Sequence, residues 1–302
     1  MSSATTSPIG RWRVDLTGIR ETSWPVIAAI ILLAAGYPVL IWSNREFVLT
    51  VAQPIVDATG GLVQPTLLVY LPVILVVIGG VMLWAGRLRL RDLSLRRDDL
   101  RTGVVVTVGV WLLMQAVGVA VLLWTGEPVQ LNETWLAGGA LAAIGALVAQ
   151  LFGNALYEEV VFRAFLLNQF RHTIQRRLTT AARWSVLLAL VASQVVFALI
   201  HVPNRLVGEG LALGQLGPTL LLLFVWGTLL AVVYYRTGNL FVVIGVHAFM
   251  NTPTMLVGPP DAGILTAIVL GVLIAALWPR LERFTDGTRS DDVDDSYQQP
   301  SN

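Results

Sequence analysis

Eight stretches of this chain stay apolar for about twenty residues each, the length an α-helix needs to cross a hydrocarbon core of ~30 Å. They lie at 24–43, 65–86, 102–124, 137–162, 184–203, 218–235, 240–257 and 262–279. Lipid offers the backbone no hydrogen-bonding partner, so a spanning segment must close its own N–H and C=O groups as a helix. The expected fold class is all-α: a polytopic membrane protein of about eight transmembrane helices forming one bundle. Only 13% of the residues are charged, against about a quarter in a soluble domain. The bundle is expected over 24–283, between an N-terminal tail at 1–23 and a polar, disordered C-terminal tail at 284–302. The first run has full spanning length, is followed by Arg45 and shows no small-residue cleavage site. It reads as a retained helix rather than a signal peptide.

All twenty basic side chains are arginine. If the runs alternate across the bilayer, eighteen of them fall on one side: in the N-terminal tail, at 87–101, at 163–183, at Arg236 and from Arg280 onward. Arg45 and Arg205 fall on the other. Arginine-rich connections face the cytoplasm, so both termini are expected there, in a multi-pass protein of the cell (plasma) membrane. The split also demands an even number of spans. Trp24, Trp84, Trp124, Trp184 and Trp278 lie near span ends, as in an interfacial belt. The lipid bilayer is thus the first partner the chain specifies. A net charge of +1 argues against a nucleic-acid partner, and the absence of cysteine removes disulfides, thiolate metal sites and cysteine nucleophiles.

Against this background the stretch NALYEEVVFR, Asn154–Arg163, is anomalous. A charge at mid-membrane costs about 2.5–3.5 kcal/mol on insertion scales, and such residues face the bundle interior. Glu159 and Arg163 are four apart with the acid first, the better order for a helical pair. Glu158 points about 100° away around an α-helix and stays outside that pair. Gln150, Asn154 and Glu158 recur every four residues as a polar stripe that needs partners on other helices. Two of the three histidines supply them: His201, closing SQVVFALIH in the fifth run, and His247, opening HAFMN in the seventh with Asn251 one turn on. His172 lies in the basic connection and reads as an interfacial residue.

Together, Glu158-Glu159-x-x-x-Arg163, Phe197-x-x-x-His201 and His247-x-x-x-Asn251 resemble the three motifs of the CAAX prenyl protease and bacteriocin-processing family, also called the Abi family, which are polytopic intramembrane endopeptidases. Each block alone is weak; all three in order, each in its own span, are specific. The resemblance places a protease-like core at about 102–257 and leaves the first three spans without a matching motif. It implies that Glu158 and His201 activate water, that His247 and Asn251 bind the oxyanion, and that Glu159, Arg163 and Phe197 shape the site. It implies a peptide or protein substrate, membrane-associated or, for some relatives, prenylated; no prenyl pocket is legible.

The residue types support hydrolysis on their own terms. Peptide cleavage needs an activated water, an oxyanion stabiliser and a proton donor for the leaving amine. A carboxylate and two imidazoles also suit zinc or another divalent metal, with Glu158, His201 and His247 as ligands and a position left for water. The metal-free glutamate–histidine mechanism and the metal site both remain open, as do two rival classes, a transporter and a non-catalytic immunity or scaffold protein using the same buried groups. One condition is strict. His201 lies about 26 Å from Trp184 but His247 only about 9 Å from Phe241. A shared site requires these depths to converge: a later start to the fifth helix, snorkelling of Arg183 or tilt would narrow the gap, and the fourth helix would also have to continue past Arg163 toward Phe170.

Overall fold

The computed structural model describes residues 19–294 apart from 43, 138 and 179–181. The rest of the N-terminal tail and residues 295–302 lie outside the described residues. The main helices are α1 (Trp24–Trp42), α2 (Val48–Ala58), α3 (Pro65–Ala85), α4 (Arg97–Thr125), α5 (Gly139–Arg177), α6 (Ala182–Ile200), α7 (Leu213–Thr237), α8 (Leu240–Asn251) and α9 (Pro260–Asp294). Among the described residues, 7 helical segments are long and apolar enough to cross a membrane, while α2 and α8 are shorter. The outward faces are apolar, with Leu32, Leu75, Leu123 and Leu221 more than half exposed, a surface that only lipid tolerates. The chain is a multi-pass all-α membrane protein.

The seventh run departs from expectation. It is helical for 12 residues only, Leu240–Asn251. Pro253 explains the stop: it disfavours helical geometry at the residue before it, and Thr252 turns to φ −143°, ψ 85°. The following irregular backbone is half-buried, and side chains satisfy it as irregular backbone at membrane depth requires. Gln115 accepts from the Leu256 N–H at 2.8 Å, Trp135 donates to the Met255 carbonyl at 2.8 Å, and Leu131 pairs with Val257 in an antiparallel bridge.

At its other end α8 is fixed by a sharp turn. Gly238 closes α7 at φ 64°, the left-handed geometry glycine adopts without strain. Asn239 then caps α8, its side chain accepting from the Phe241 and Val242 N–H groups. Every residue from Val242 to Met250 is buried, so α8 is the central element. Its approach to α4 depends on Gly245, where an added Cβ would meet Thr107 Oγ1 at 2.0 Å.

The arginine-bearing segments gather at one end. Gln169 on α5 accepts from the Thr22 N–H and donates to the Arg20 carbonyl, Arg20 donates to the Arg87 carbonyl, and Glu21 pairs with Arg176. Two further expectations need adjusting. Trp278 is only 6% exposed, so it packs inside rather than in the belt, unlike Trp84 and Trp124. The polar stretch from 284 begins as a continuation of α9 to Asp294.

Candidate active site

The depth condition is met by a long helical hairpin. α5 does not end at Arg163 but runs on to Arg177, and α6 packs back along it. From Glu158 to Arg177 and from Ala182 to His201 are two arms of equal residue count, about 28 Å each. Glu158 and His201 therefore stand level. From Asn239 to His247 is about 12 Å, so the hairpin tip overshoots the turn before α8 by about 16 Å. That overshoot brings all three side chains to one height.

Every residue of α5 from Glu159 to Leu166 is buried, which a helix tolerates only at the centre of a bundle. This stretch is wound as a π-helix. The wider i→i+5 turn rotates successive residues by less than the ~100° of an α-helix. Adjacent carboxylates at its start splay less, and both reach α8. His247 Nδ1 lies 2.6 Å from Glu159 Oε1, and His247 Nε2 lies 3.8 Å from Glu158 Oε2. The same Glu159 oxygen lies 3.1 Å from Arg163 Nη1, with both side chains fully buried.

His201 meets Glu158 from the other side, its Nε2 3.9 Å from Oε1. Its Nδ1 is 2.7 Å from the Phe197 carbonyl. A carbonyl only accepts, so Nδ1 carries the proton and donates. The Phe197 ring stands edge-on to His201 at 4.8 Å and supports the Arg163 guanidinium at 4.5 Å. Phe197 thus both packs and orients. Asn251 donates to Gln150 Oε1 at 3.0 Å, and Asn154 donates to the same oxygen at 3.3 Å.

Two cavities meet at Glu158 and His201. One of about 150 Å³ is lined by Trp226 of α7, by His247, Met250 and Asn251 of α8, and by Arg205 in the turn after α6. The other, about 70 Å³, is lined by Ala34, Tyr70, Tyr157 and Phe162.

All seven residues singled out in the sequence therefore assemble around one centre. Two refinements stand out. Glu159 is more than half of a structural ion pair, because it also fixes the ring of His247; nothing local in the sequence signals a contact between residues 88 positions apart. Gln150 holds Asn251, so the stripe's first member pairs with a carboxamide, not a histidine. Its four-residue spacing from Asn154 was the available signal.

The fit to a metal is mixed. Both imidazoles have Nδ1 engaged and turn Nε2 toward Glu158, as ligating histidines do. Yet separations of 3.8 and 3.9 Å exceed the ~3.3–3.5 Å edges that zinc bonds of 2.0–2.2 Å impose on a tetrahedral set. Among the described residues no group of three or more His, Cys, Asp or Glu is placed to hold a metal ion. As placed, the three side chains stand a few tenths of an ångström wider than a tetrahedral zinc set.

Residues 139–253 match the model of a family described as Rce1-like, type II CAAX prenyl endopeptidase Rce1-like. The matched stretch starts where α5 starts and ends just past α8, enclosing all three motifs. No curated protein and no solved structure matches the chain.

Proposed function

From the Rce1-like match at 139–253, we propose that the chain is a member of the CAAX prenyl protease family and an intramembrane endopeptidase using a glutamate–histidine-activated water. One observation carries the reading: two imidazole Nε2 atoms on different helices converge on the single carboxylate of Glu158, at 3.8 and 3.9 Å. Those gaps are too long for direct hydrogen bonds and suit an intervening water.

In this reading a water sits between Glu158 Oε1 and His201 Nε2. Glu158 takes one of its protons as the oxygen attacks the substrate carbonyl carbon. The carbonyl π electrons move to oxygen, forming a tetrahedral oxyanion. His247 and Asn251 donate to that oxygen. Glu158 then passes its proton to the leaving nitrogen as the C–N bond breaks, and a carboxylic acid and an amine are released. Preorganised donors in a water-poor site supply the largest share of such catalysis.

The substrate is a peptide or protein segment reaching the site from the membrane. Purified protein in detergent should cleave a labelled peptide, and Glu158→Gln should abolish the cleavage. Cleavage that survives Glu158→Gln, or none by the parent across a diverse peptide set, would sink the proposal in favour of a transporter or scaffold.

A further inference from the structure

Glu158 and His201 are the residues common to the linings of the two cavities. They stand between them as a partition, with Oε1 and Nε2 3.9 Å apart. The two sides differ in chemistry. His247 and Asn251, the donors assigned to the oxyanion, line only the larger cavity. A carbonyl under attack must therefore lie there. The smaller cavity is lined by neither donor, so it lies behind the attacking water and not beside the substrate. Its walls include two helices that the larger cavity does not touch: α1, through Ala34 and Ala35, and α3, through Tyr70.

A cavity inside a bundle stays dry unless polar groups hold water in it. Here several do. Glu158 and His201 line the smaller cavity, and so does Tyr157, whose buried hydroxyl has no hydrogen-bond partner in the protein. An ordered water is the usual partner of such a group. Asn204 adds a carboxamide from the turn after α6. Its amide donates to Glu209 at 3.1 Å, and the Glu209 side chain is 43% exposed. Polar groups thus run from the exposed turn to Glu158. The volume of about 70 Å³ suits a small cluster of waters at ~10–15 Å³ each. Each peptide bond cleaved consumes one water: its hydroxyl ends on the acyl carbon and its remaining hydrogen on the amine. A site enclosed by apolar helices must be resupplied after every turnover. We propose that the smaller cavity is the water chamber of the enzyme. It binds the hydrolytic water and its replacements behind Glu158 and His201, takes them in through the turn at Asn204, and leaves the substrate to the larger cavity. The inference rests on the endopeptidase reading. It gives α1 and α3, which carry no motif, a task in the chemistry.

Two measurements on the full chain in detergent test it. The first fills the chamber. Ala35→Leu should lower kcat for peptide cleavage about tenfold or more and leave KM within about twofold, because it displaces water and not substrate. Leu32→Phe, on the lipid-facing side of the same helix, should change neither. A larger rise in KM places substrate in the smaller cavity and overturns the inference, and so does a parental kcat. If Ala35→Leu does not fold, Tyr157→Phe decides in its place, with the same expected split between kcat and KM. The second measurement reads water without cleavage. The chain has no cysteine, so a single Ala35→Cys can be followed with methyl methanethiosulfonate. That reagent attacks the thiolate, which water favours and apolar surroundings suppress. Ala35→Cys should react about tenfold or more faster than Leu32→Cys. Equal rates show a dry cavity and overturn the inference. Faster labelling of Ala35→Cys in a chain without Glu158-dependent cleavage supports the chamber and refutes only the protease reading.

Discussion

The adjacent glutamates should fail in opposite ways when removed. Glu159 Oε1 is shared by Arg163 Nη1 at 3.1 Å and His247 Nδ1 at 2.6 Å, with no solvent exposure of Glu159 or Arg163. Glu159→Ala strands the guanidinium with the Gly227 carbonyl at 3.4 Å and the Phe197 ring as its remaining partners. Stranding a buried charge costs about 3–5 kcal/mol. At 2–4 °C per kcal/mol for a chain of this size, the melting temperature should fall by roughly 6–20 °C. Glu158 has no ion partner closer than the two ring nitrogens at 3.8 and 3.9 Å, so Glu158→Ala removes a burial cost along with the proposed base. It should melt no lower than the parent and cleave nothing. The double variant Glu159→Ala with Arg163→Met removes both charges and should recover most of the melting temperature. It should remain impaired per folded molecule, because His247 has lost the acceptor that orients it. The assays are thermal melting in detergent and peptide cleavage normalised to folded protein. The reasoning is refuted if Glu158→Ala melts lower than Glu159→Ala, or if the double variant regains parental cleavage.

Exhaustive chelation should leave cleavage intact; activity that disappears and returns with stoichiometric zinc would restore the metal mechanism, and metal content of purified His201→Ala checks the same point. Gln150→Leu removes the acceptor shared by Asn251 and Asn154. It should lower kcat by about tenfold or more, at near-parental stability, if Asn251 must be held to meet the oxyanion. Gly227→Val should lower both stability and activity, since even a Cβ there meets the Phe197 ring at 2.9 Å; a parental melting temperature would show that α6 and α7 do not need this close approach. Reporter fusions after Gly86 and Thr237 should read as cytoplasmic and one after Glu127 as external, and the reverse at any two would overturn the orientation.

What was legible in the sequence was what lipid makes decisive. Length and apolarity alone select helices when no water can satisfy the backbone, and charges inside such runs announce a site because they are costly anywhere else. What stayed hidden depended on tertiary contact. The run 240–257 is continuous in hydropathy, and its break at Thr252 was written only in Pro253. The acceptors and donors that make the break tolerable, Gln115 and Trp135, sit more than a hundred residues away. Likewise Glu159 looked complete with Arg163, and its bond to His247 required knowing that α8 passes beside α5.

The overshooting hairpin joins these two levels. Had α5 ended at the membrane surface after Arg163, His201 would sit far beyond Glu158 and the motifs would not meet. Continuing α5 to Arg177 places Gln169, His172 and Arg176 where the N-terminal segment can bind them, through Thr22, Arg20 and Glu21. The segment before α1 and the hairpin that sets the height of His201 are thereby tied together. α1 in turn lines the smaller cavity through Ala34 and Ala35. The first span carries no motif, yet the segment before it holds the hairpin and its middle lines the cavity beside Glu158. The matched stretch 139–253 contains the proposed chemistry, but one wall of its site comes from outside it.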